Sequence, residues 1–580
     1  MPGLDQRAIA AALRRLAQIL EIRGENPFKV RAHENAADAL ESGEFDAIEE
    51  ARSGTLGKRK GFGEALVAKV AALAQTGELD ELRELEAEVP AGLFEMLRIP
   101  GFGPKKVQAV WKKLGVTTVD ELERACKDGR VEKLAGFGEK SAAKIREGIA
   151  FLRTSAGQYL RGAALAAAEE LREALAKSRA VKRVEIAGSL RRGREVVKDI
   201  DIVASSRSPD KVMDLFRTLP QVAEVTGSGE TKTSVRLQSG IACDLRVVRD
   251  EQFPFALMHF TGSKDHNVAM RARAQRLFNI RISEYGLFDE THGDALIPCE
   301  DEAAIHRRLG LSPIEPELRE DRGEIEAAEH GELPALVTRE DVRGTLHMHT
   351  HSSDGKAGVL EMAQAGAQMG FEWIGIADHS VSAFYAGGMK PDEVHRQFDE
   401  IEALNAKGSP CRILKGIECD ILPAGELDYD ESIWKRTDFI VGSVHSSFTM
   451  TEREMTARVT RALENPYLSI LGHPTGRLLL RRDPFAIDLE AVIDAAAKHG
   501  RIIEINGDPN RLDLDWRWVK RARDAGVMLS LGPDAHRPED LKHTWLALTV
   551  ARKGWLEAKH VLNTRTAPEA LKRLRKMRGA

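Results

Sequence analysis

Apolar residues are spaced differently along successive parts of the chain, and each spacing predicts a different architecture. Residues 1 to about 155 are rich in Ala, Leu and Glu, which predicts helices separated by glycine turns. From about 160 to 315, helical stretches alternate with short apolar strands, as in a mixed α/β domain. The segment 316–340 is acidic and contains prolines without a clear apolar period, so we expect it to be an interdomain linker.

The last part of the chain, 341–575, contains seven short apolar runs, most of them separated by helical stretches. Each run ends in a polar or metal-binding type of residue; in order these are His347 and His349, Asp378 and His379, Glu418, His445, His473, Asn506, and Asp534 and His536. Strands that alternate with helices form a β/α barrel, whose strands end on one common face. A single histidine is usually an ordinary core or surface residue, but recurrence at equivalent places favours a shared site.

Composition sets broad limits on the class of protein. A chain of 580 residues is too long for one core, and 42% hydrophobic with 30% charged residues is typical of a globular protein. No apolar run is long enough to span a membrane, and the N-terminus lacks the pattern of a signal peptide. The five cysteines are scattered without metal-type spacing, so we expect a protein of the reducing cytoplasm.

Three glycine turns in the helical part share the pattern Gly-Phe-Gly, at residues 61–63, 101–103 and 136–138. Each opens a helical segment, whose N-terminal backbone N–H groups can bind a DNA phosphate. A single copy could be a helix cap and nothing more. The net charge of the chain is −5, yet residues 101–200 contain 22 Lys and Arg against 13 Asp and Glu, which favours contact with DNA. The repeated turn resembles the helix-hairpin-helix motif.

A glycine turn followed by two aspartates indicates metal-dependent nucleotide chemistry. The stretch 188–193 reads Gly-Ser-Leu-Arg-Arg-Gly, which brings backbone N–H groups and guanidinium groups to a triphosphate. Asp199 and Asp201 lie at alternate positions of an apolar strand, so their carboxylates point the same way and favour Mg²⁺. The alternative is two solvated aspartates on an edge strand. Asp244, within the apolar run 241–248, would be the third carboxylate of a two-metal site.

With these motifs in order, residues 1 to about 315 resemble the X-family DNA polymerases, the polymerase beta group. The stretch Phe-Thr-Gly-Ser-Lys-Asp-His-Asn at 260–267 is similar to the nucleotide pocket of that family. The resemblance implies four domains: a helical lyase-like DNA-binding domain (1–80), a helix-hairpin-helix DNA-binding domain (81–155), an α+β nucleotidyltransferase palm (156–250) and a nascent-base-pair domain (251–315).

The same resemblance implies roles for individual residues. Asp199, Asp201 and Asp244 would be the catalytic residues, holding Mg²⁺ with Mn²⁺ as a substitute. The nucleotide would contact Gly188, Ser189, Arg192, Gly193, Phe260, Gly262 and Asn267. The DNA would contact Gly61, Gly63, Gly101, Gly103, Lys105, Gly136, Gly138, Lys140 and Arg271. The implied partners are gapped or primer-template DNA and dNTPs, for a monomer associated with the nucleoid.

Lys69 lies eight residues beyond Gly61, where lyase members of the family have a Schiff-base lysine. The alternative is a lysine on an exposed helix face that only contacts phosphate.

Residues 341 to about 575 resemble the PHP (polymerase and histidinol phosphatase) domain. That resemblance implies nine metal ligands, namely His347, His349, Asp354, His379, Glu418, His445, His473, Asp534 and His536. Imidazole together with carboxylate suits an Mn²⁺ or Zn²⁺ cluster of the kind that hydrolyses phosphate esters. Asp378 is expected to support the ligands rather than join them.

The leading interpretation is a DNA-templated DNA polymerase for gap-filling repair, fused to a metal-dependent 3′–5′ exonuclease with abasic-site endonuclease activity as a further possibility. One alternative makes the barrel a small-molecule phosphatase. Another makes the protein a non-enzymatic scaffold that bridges DNA ends.

Overall fold

The structure is a computed structural model that describes residues 5–42 and 45–578. It forms two compact units, one ending at Ala156 and the other beginning at Gly157. None of the helices within the described ranges is both long and apolar enough to cross a membrane.

The first unit is helical, as predicted. Its described helices are α1 (Gln6–Arg23), α2 (Pro27–Ser42), α3 (Ala47–Arg52), α4 (Glu64–Thr76), α5 (Asp80–Glu88), α6 (Ala91–Met96), α7 (Pro104–Leu114), α8 (Val119–Lys127) and α9 (Glu139–Ser155). The three Gly-Phe-Gly turns lead directly into α4, α7 and α9. In each turn the first glycine has a positive φ (96°, 70° and 86°) and the second caps the helix, so the turn exposes the helix N-terminus.

The second unit begins with a mixed α/β domain built on a five-stranded sheet. Its elements are β1 (Tyr159–Leu160), α10 (Arg161–Ala176), β2 (Arg183–Ile186), α11 (Gly188–Arg191), β3 (Val196–Val197), β4 (Asp199–Ser205), α12 (Pro209–Arg217), β5 (Val222–Ser228), β6 (Lys232–Leu237) and β7 (Ala242–Val248). The strand order is β2-β4-β7-β6-β5, and within it β4 and β7 are parallel while the other neighbours are antiparallel. The sheet core packs against α10 and α12.

A smaller domain follows, in which helices surround a three-stranded antiparallel sheet. Its elements are α13 (Phe253–Thr261), α14 (Lys264–Phe278), β8 (Ile280–Ser283), β9 (Gly286–Asp289), β10 (Ala295–Ile297) and α15 (Glu302–Arg308). The segment 316–340 contains a further helix, α16 (Glu324–His330). Some charged residues of the segment 316–340 are buried and paired. Arg319 bonds to Glu302, and Glu324 Oε1 lies 2.6 Å from His266 Nδ1.

The C-terminal barrel has seven strands, as the seven apolar runs predicted. Its elements are β11 (Gly344–Met348), α17 (Val359–Gln368), β12 (Trp373–Ile376), α18 (Pro391–Ala406), β13 (Arg412–Asp420), α19 (Glu431–Trp434), β14 (Phe439–Ser443), α20 (Glu452–Glu464), β15 (Ile470–Leu471), α21 (Leu489–His499), β16 (Ile502–Asn506), α22 (Trp516–Asp524), β17 (Leu529–Gly532), α23 (Thr544–Lys553) and α24 (Ala567–Lys576). All neighbouring strands are parallel and follow chain order. The bridge between Met348 and Ala535 brings the first strand next to the last, so the barrel is nearly closed.

Phe439 fills the interior of this barrel. Its side chain is fully buried, and its ring occupies the space into which side chains at Gly375 and Gly416 would point. We expect Phe439→Ala to lower the free energy of unfolding by about 3–5 kcal/mol, because it leaves a cavity. Urea unfolding followed by tryptophan fluorescence measures this, since six of the seven tryptophans lie in the second unit. The matched control is Phe384→Ala, which removes a ring that is 86% exposed. It should change the free energy by less than about 0.5 kcal/mol.

Candidate active sites

Two neighbouring strands of the α/β domain bring three carboxylates together. The register of β4 and β7 places Asp201 opposite Asp244, and Asp199 lies two residues earlier on the same face of β4. Asp244 accepts a hydrogen bond from Ser234 Oγ at 2.6 Å and lies 2.5 Å from Lys232 Nζ. Burial, and then the charges of Asp199 and Asp244, raise the pKa of Asp201 to about 7. A divalent cation would relieve this repulsion, so the residues present fit the metal that the sequence predicted.

The glycine turn lies directly against these carboxylates. Gly188 has a φ of 65°, and a Cβ at this position would overlap Asp201 Oδ2. The Ala187 N–H donates to the carbonyl oxygen of Asp201 at 2.8 Å, which fixes the turn on β4. Ser189 is half-buried beside Gly188 at the start of α11. The turn and the carboxylates therefore form one site, as the sequence predicted.

The two arginines of the turn already have carboxylate partners within the protein. Arg192 Nε lies 3.1 Å from Glu320 Oε1, and its Nη1 donates to the carbonyl oxygen of Thr261 at 2.8 Å. Arg191 forms a bidentate pair with Glu302 at 3.0 and 2.6 Å. A triphosphate at this turn would therefore have to compete with Glu320 for the guanidinium of Arg192.

The residues predicted to surround the incoming nucleotide lie at the junction of α13 and α14. Asn267 Nδ2 donates to the carbonyl oxygens of His259 at 2.7 Å and Gly262 at 3.3 Å, and a side chain at Gly262 would overlap the Asn267 amide. Phe260 packs under the guanidinium of Arg246 at 4.3 Å. Arg271 is half-buried on α14, one turn beyond Asn267.

In the helical unit, Lys69 is less exposed than the sequence suggested. Its side chain is 12% exposed, it forms an ion pair with Glu81, and its Nζ lies 3.0 Å from His33 Nε2. The Nδ1 of His33 lies 2.7 Å from the carbonyl oxygen of Lys29, which makes Nδ1 the protonated nitrogen and leaves Nε2 to accept from Lys69. Burial, opposed in part by the bond to Lys29, lowers the pKa of His33 and favours its neutral form. Lys69 thus lies beside a neutral base.

All nine residues predicted as metal ligands in the barrel lie together. They form four overlapping groups whose ligand atoms lie within 4.8 Å of one another; these are His349, Asp354, His379 and His536; His347, His349 and Asp534; His347, Glu418 and His473; and His379, Glu418 and His445. Glu418 belongs to two groups and connects them. A donor set of six imidazoles and three carboxylates fits a cluster of metal ions that prefer nitrogen and oxygen ligands.

The electrostatics of the barrel site also fit bound cations. Buried atoms at the cluster lack a well-directed hydrogen bond, among them His347 Nε2 and His349 Nδ1, and also His379 Nδ1 and Glu418 Oε2, which lie 2.8 Å from each other. Unpaired buried polar atoms are costly, and metal ions would satisfy them. Burial lowers the pKa of His349 to about 4, with His379 and His536 adding to the shift, so this imidazole is neutral and able to bind metal.

Backbone geometry aims several of these ligands inward. His347, His473 and Asp534 have positive φ values of 67°, 21° and 51°. The register between β11 and β12 shifts between Leu346 and Met348, so a bulge reorients His347. Such conformations are strained for residues other than glycine and concentrate at functional sites.

Sequence reasoning missed the residues that orient these ligands. Glu504 Oε1 lies 2.5 Å from His347 Nδ1, and its Oε2 accepts from the His473 N–H at 2.8 Å. Asp420 Oδ1 lies 2.7 Å from His445 Nδ1. Carboxylates in this position fix the ring and its tautomer. A signal for Glu504 existed, since it is an acid within the apolar run 502–505.

Asp378 does not contact the ligand histidines directly. It accepts hydrogen bonds from the Thr350 N–H and hydroxyl, both at 2.7 Å, and from Ser353 Oγ at 2.5 Å. These bonds order the loop that carries Asp354, so Asp378 positions a ligand through the backbone.

Fold and sites together define a polymerase beta-type core joined to a PHP barrel. Residues 5–79 match the Helix-hairpin-helix domain family, and residues 94–150 match the SAM-like Helix-hairpin-helix tandem. Residues 256–320 match the DNA polymerase beta thumb, and residues 345–507 match the PHP domain.

A relative that matches nearly the whole chain shows which family of polymerases this chain belongs to. The chain is 38% identical to the DNA polymerase/3′-5′ exonuclease PolX of Bacillus subtilis over 566 residues, which is 97% of this chain and 98% of that protein. The chain therefore belongs to the PolX family. A probable phosphatase of Thermoanaerobacter sp. is 30% identical over 233 residues, which is 38% of this chain and 90% of that protein. A probable phosphatase of Caldanaerobacter subterraneus is 29% identical over 34% of this chain and 78% of that protein.

The close approach of Gly188 to Asp201 yields a specific prediction. We expect Gly188→Ala to lower nucleotide incorporation by at least about a hundredfold, because its Cβ would displace a carboxylate at the site and strain a positive φ. Primer extension on a gapped duplex measures the loss. The matched control is Gly157→Ala, which also has a positive φ but no atom within reach of a Cβ. Equal losses in both variants would refute the local explanation.

Proposed function

We propose that this protein fills short gaps in DNA from a template and trims DNA 3′ ends with a second, metal-dependent active site. One observation carries the proposal: a single chain contains three carboxylates gathered on neighbouring strands of the palm and a cluster of nine His, Asp and Glu residues that could hold metal ions. Full-length similarity to a DNA polymerase/3′-5′ exonuclease supports the pairing of these two activities.

We assign the polymerase roles to the three carboxylates and the turn beside them. Asp199 and Asp201 would hold two Mg²⁺ ions, with Mn²⁺ as a substitute, and Asp244 would hold one of them. These ions supply activation of the primer hydroxyl and stabilisation of the leaving pyrophosphate. Gly188 and Ser189 present backbone N–H groups to a dNTP, and Arg192 binds its phosphates.

We assign the barrel cluster to phosphodiester hydrolysis with Mn²⁺ or Zn²⁺. Metal ions held by these residues would supply a hydroxide nucleophile at neutral pH and would orient the phosphate ester. Glu418 joins the metal sites, and Glu504 fixes His347 so that its Nε2 faces them. Arg511, whose Nε lies 3.6 Å from Asp534 Oδ2, adds a cation that can meet the scissile phosphate. Incision at abasic sites would use the same residues.

We divide the chain into the domains 1–80, 81–155, 156–250, 251–315 and 341–575, joined over 316–340. The exposed Gly-Phe-Gly turns, with Lys105 and Lys140 beside them, support binding of gapped or primer-template DNA. We further propose that the protein is a monomer that works on the nucleoid in the cytoplasm. All five cysteines are free thiols, which is consistent with a reducing compartment.

The two activities should separate in point variants. Asp199→Ala removes a carboxylate of the palm and should abolish insertion into a 5′-phosphorylated gapped duplex while 3′ trimming continues. His347→Ala opens the barrel cluster and should abolish trimming while insertion continues. Both are assayed with Mg²⁺ and with Mn²⁺, and metal analysis should find Mn or Zn in Asp199→Ala but less in His347→Ala.

Other outcomes would favour the alternatives. Hydrolysis of small phosphomonoesters without trimming of DNA would make the barrel a small-molecule phosphatase. Insertion that survives Asp199→Ala would overturn the polymerase assignment. A wild-type protein without bound metal or either activity would be a DNA-end-bridging scaffold.

Lys69 yields a separate prediction. His33 Nε2 and the carboxylate of Glu81 both lie beside the Lys69 Nζ, so each is placed to accept the proton that an amine must lose before it forms a Schiff base. We therefore expect borohydride to trap the protein on DNA that carries a 5′-deoxyribose phosphate, and Lys69→Ala to abolish trapping. The matched control is Lys127→Ala, an exposed lysine of the same unit that pairs with Glu123. Failure of the wild type to be trapped would leave Lys69 as a phosphate contact.

A further inference from the structure

The last helix turn of α23 in the barrel ends in a lysine whose side chain is fully buried. Lys553 Nζ donates to Glu320 Oε1 at 2.6 Å and to the carbonyl oxygens of Arg192 at 3.0 Å and Glu317 at 3.3 Å. It also lies 4.3 Å from the ring centre of Trp516. Burial lowers the pKa of Lys553 to about 8, and the carboxylate of Glu320 opposes that shift. The barrel thus extends a cation to the predicted phosphate-binding turn of the palm.

Glu320 is the carboxylate that this lysine shares with the turn. Its Oε1 accepts both from Lys553 and from Arg192 Nε, and Arg194 Nη1 lies 3.9 Å from Oε2. The side chains of Glu320 and Arg192 are only 9% and 13% exposed. Burial favours the neutral acid, but Lys553 and Arg192 hold the pKa of Glu320 below its usual value. One buried carboxylate is therefore balanced by cations from the palm and from the barrel.

The backbone of the turn is also held by the barrel. A side chain at Gly193 would overlap Thr549 of α23, so the glycine turn and α23 are in direct contact there. Glu195 accepts from Trp516 Nε1 at 3.2 Å and from Arg517 Nη1 at 2.9 Å. The segment 192–195 is thus held against the barrel at both ends. The Arg192 carbonyl oxygen accepts from Lys553, and the Glu195 carboxylate accepts from α22.

This arrangement has a consequence for nucleotide binding. Arg192 cannot give the same N–H groups to Glu320 and to a triphosphate. If Arg192 turns to the phosphates, Glu320 would remain buried with a bare charge unless another cation stays with it, and such a charge is costly. Lys553 stays with it, because its remaining bonds are to backbone carbonyl oxygens that do not move with the arginine side chain.

We propose that Lys553 of the barrel is a positioning residue for the polymerase site, which neutralises Glu320 and so makes Arg192 available to the triphosphate of the incoming nucleotide. This inference rests on the proposed polymerase function. It makes nucleotide affinity in the palm depend on a side chain of the PHP barrel.

The test is single-nucleotide insertion into a gapped duplex by the full chain, with KM for the dNTP and kcat determined separately. We expect Lys553→Met to raise KM about tenfold, the size expected for loss of one charge-assisted hydrogen bond, with little change in kcat. Lys553→Arg should restore most of the affinity. Lys559→Met, at an exposed lysine paired with Glu557, should leave KM unchanged. The 3′ trimming rate of each preparation reports whether the barrel is intact.

Glu320→Gln separates positioning from a merely structural role. It removes the carboxylate that competes for Arg192, so KM should fall below that of the wild type, which a folding defect would not cause. The double variant Glu320→Gln with Lys553→Met should have a KM below that of Lys553→Met alone and close to that of Glu320→Gln alone. The KM of Glu320→Gln therefore tests the inference even where Lys553→Met alone is poorly folded.

Two results would overturn the inference. If KM is unchanged in Lys553→Met and Glu320→Gln, or rises in both, Lys553 does not act through Glu320 on Arg192. A wild-type protein that inserts no nucleotide would overturn the proposed function and this inference together. An active wild type with unaltered KM in the variants overturns this inference alone.

Discussion

Carboxylates that lie close together must be balanced by positive charge, and both functional sites of this protein depend on that constraint. In the palm, Asp199, Asp201 and Asp244 converge on neighbouring strands, and Lys232 alone pairs with Asp244 among the described contacts. In the barrel, imidazoles surround Glu418 and Asp534. Where palm and barrel meet, cations from both sides share one glutamate. The first two clusters are open to metal ions, whereas the third is closed by side chains.

The two open clusters differ in donor type, and this difference separates their chemistry. Oxygen donors alone suit a hard ion that exchanges with each nucleotide, as phosphoryl transfer requires. Six imidazoles among nine donors suit ions that stay with the protein, and Glu504 and Asp420 fix the rings of two of them. The two clusters therefore suit different metal ions, which would allow one chain to combine synthesis with hydrolysis.

Sequence reasoning found what local periodicity encodes. Alternation along a strand places Asp199 and Asp201 on one face, and seven apolar runs with polar ends predicted the barrel and placed eight of its nine candidate ligands on one face. The ninth ligand, Asp354, was implied only by the resemblance to the PHP domain. Contacts between distant residues were not predictable in this way. Glu504 bonds to a histidine 157 residues earlier. Likewise, nothing in the composition of the predicted linker 316–340 indicated that Glu324 pairs with His266, 58 residues earlier. A buried ion pair and an exposed charge look alike in a sequence.

The shared glutamate changes how variants of this protein must be interpreted. Palm and barrel lie in one compact unit, and the turn that we propose as the nucleotide-binding turn contacts α22 and α23 through Glu195, Arg192 and Gly193. A substitution in those helices can therefore weaken polymerisation without touching DNA, metal or nucleotide. Removal of the barrel would likewise uncover Glu320 and leave Arg192 as its principal partner. A truncated chain without the barrel could then lose polymerase activity because Glu320 holds Arg192, and not because a catalytic group is missing.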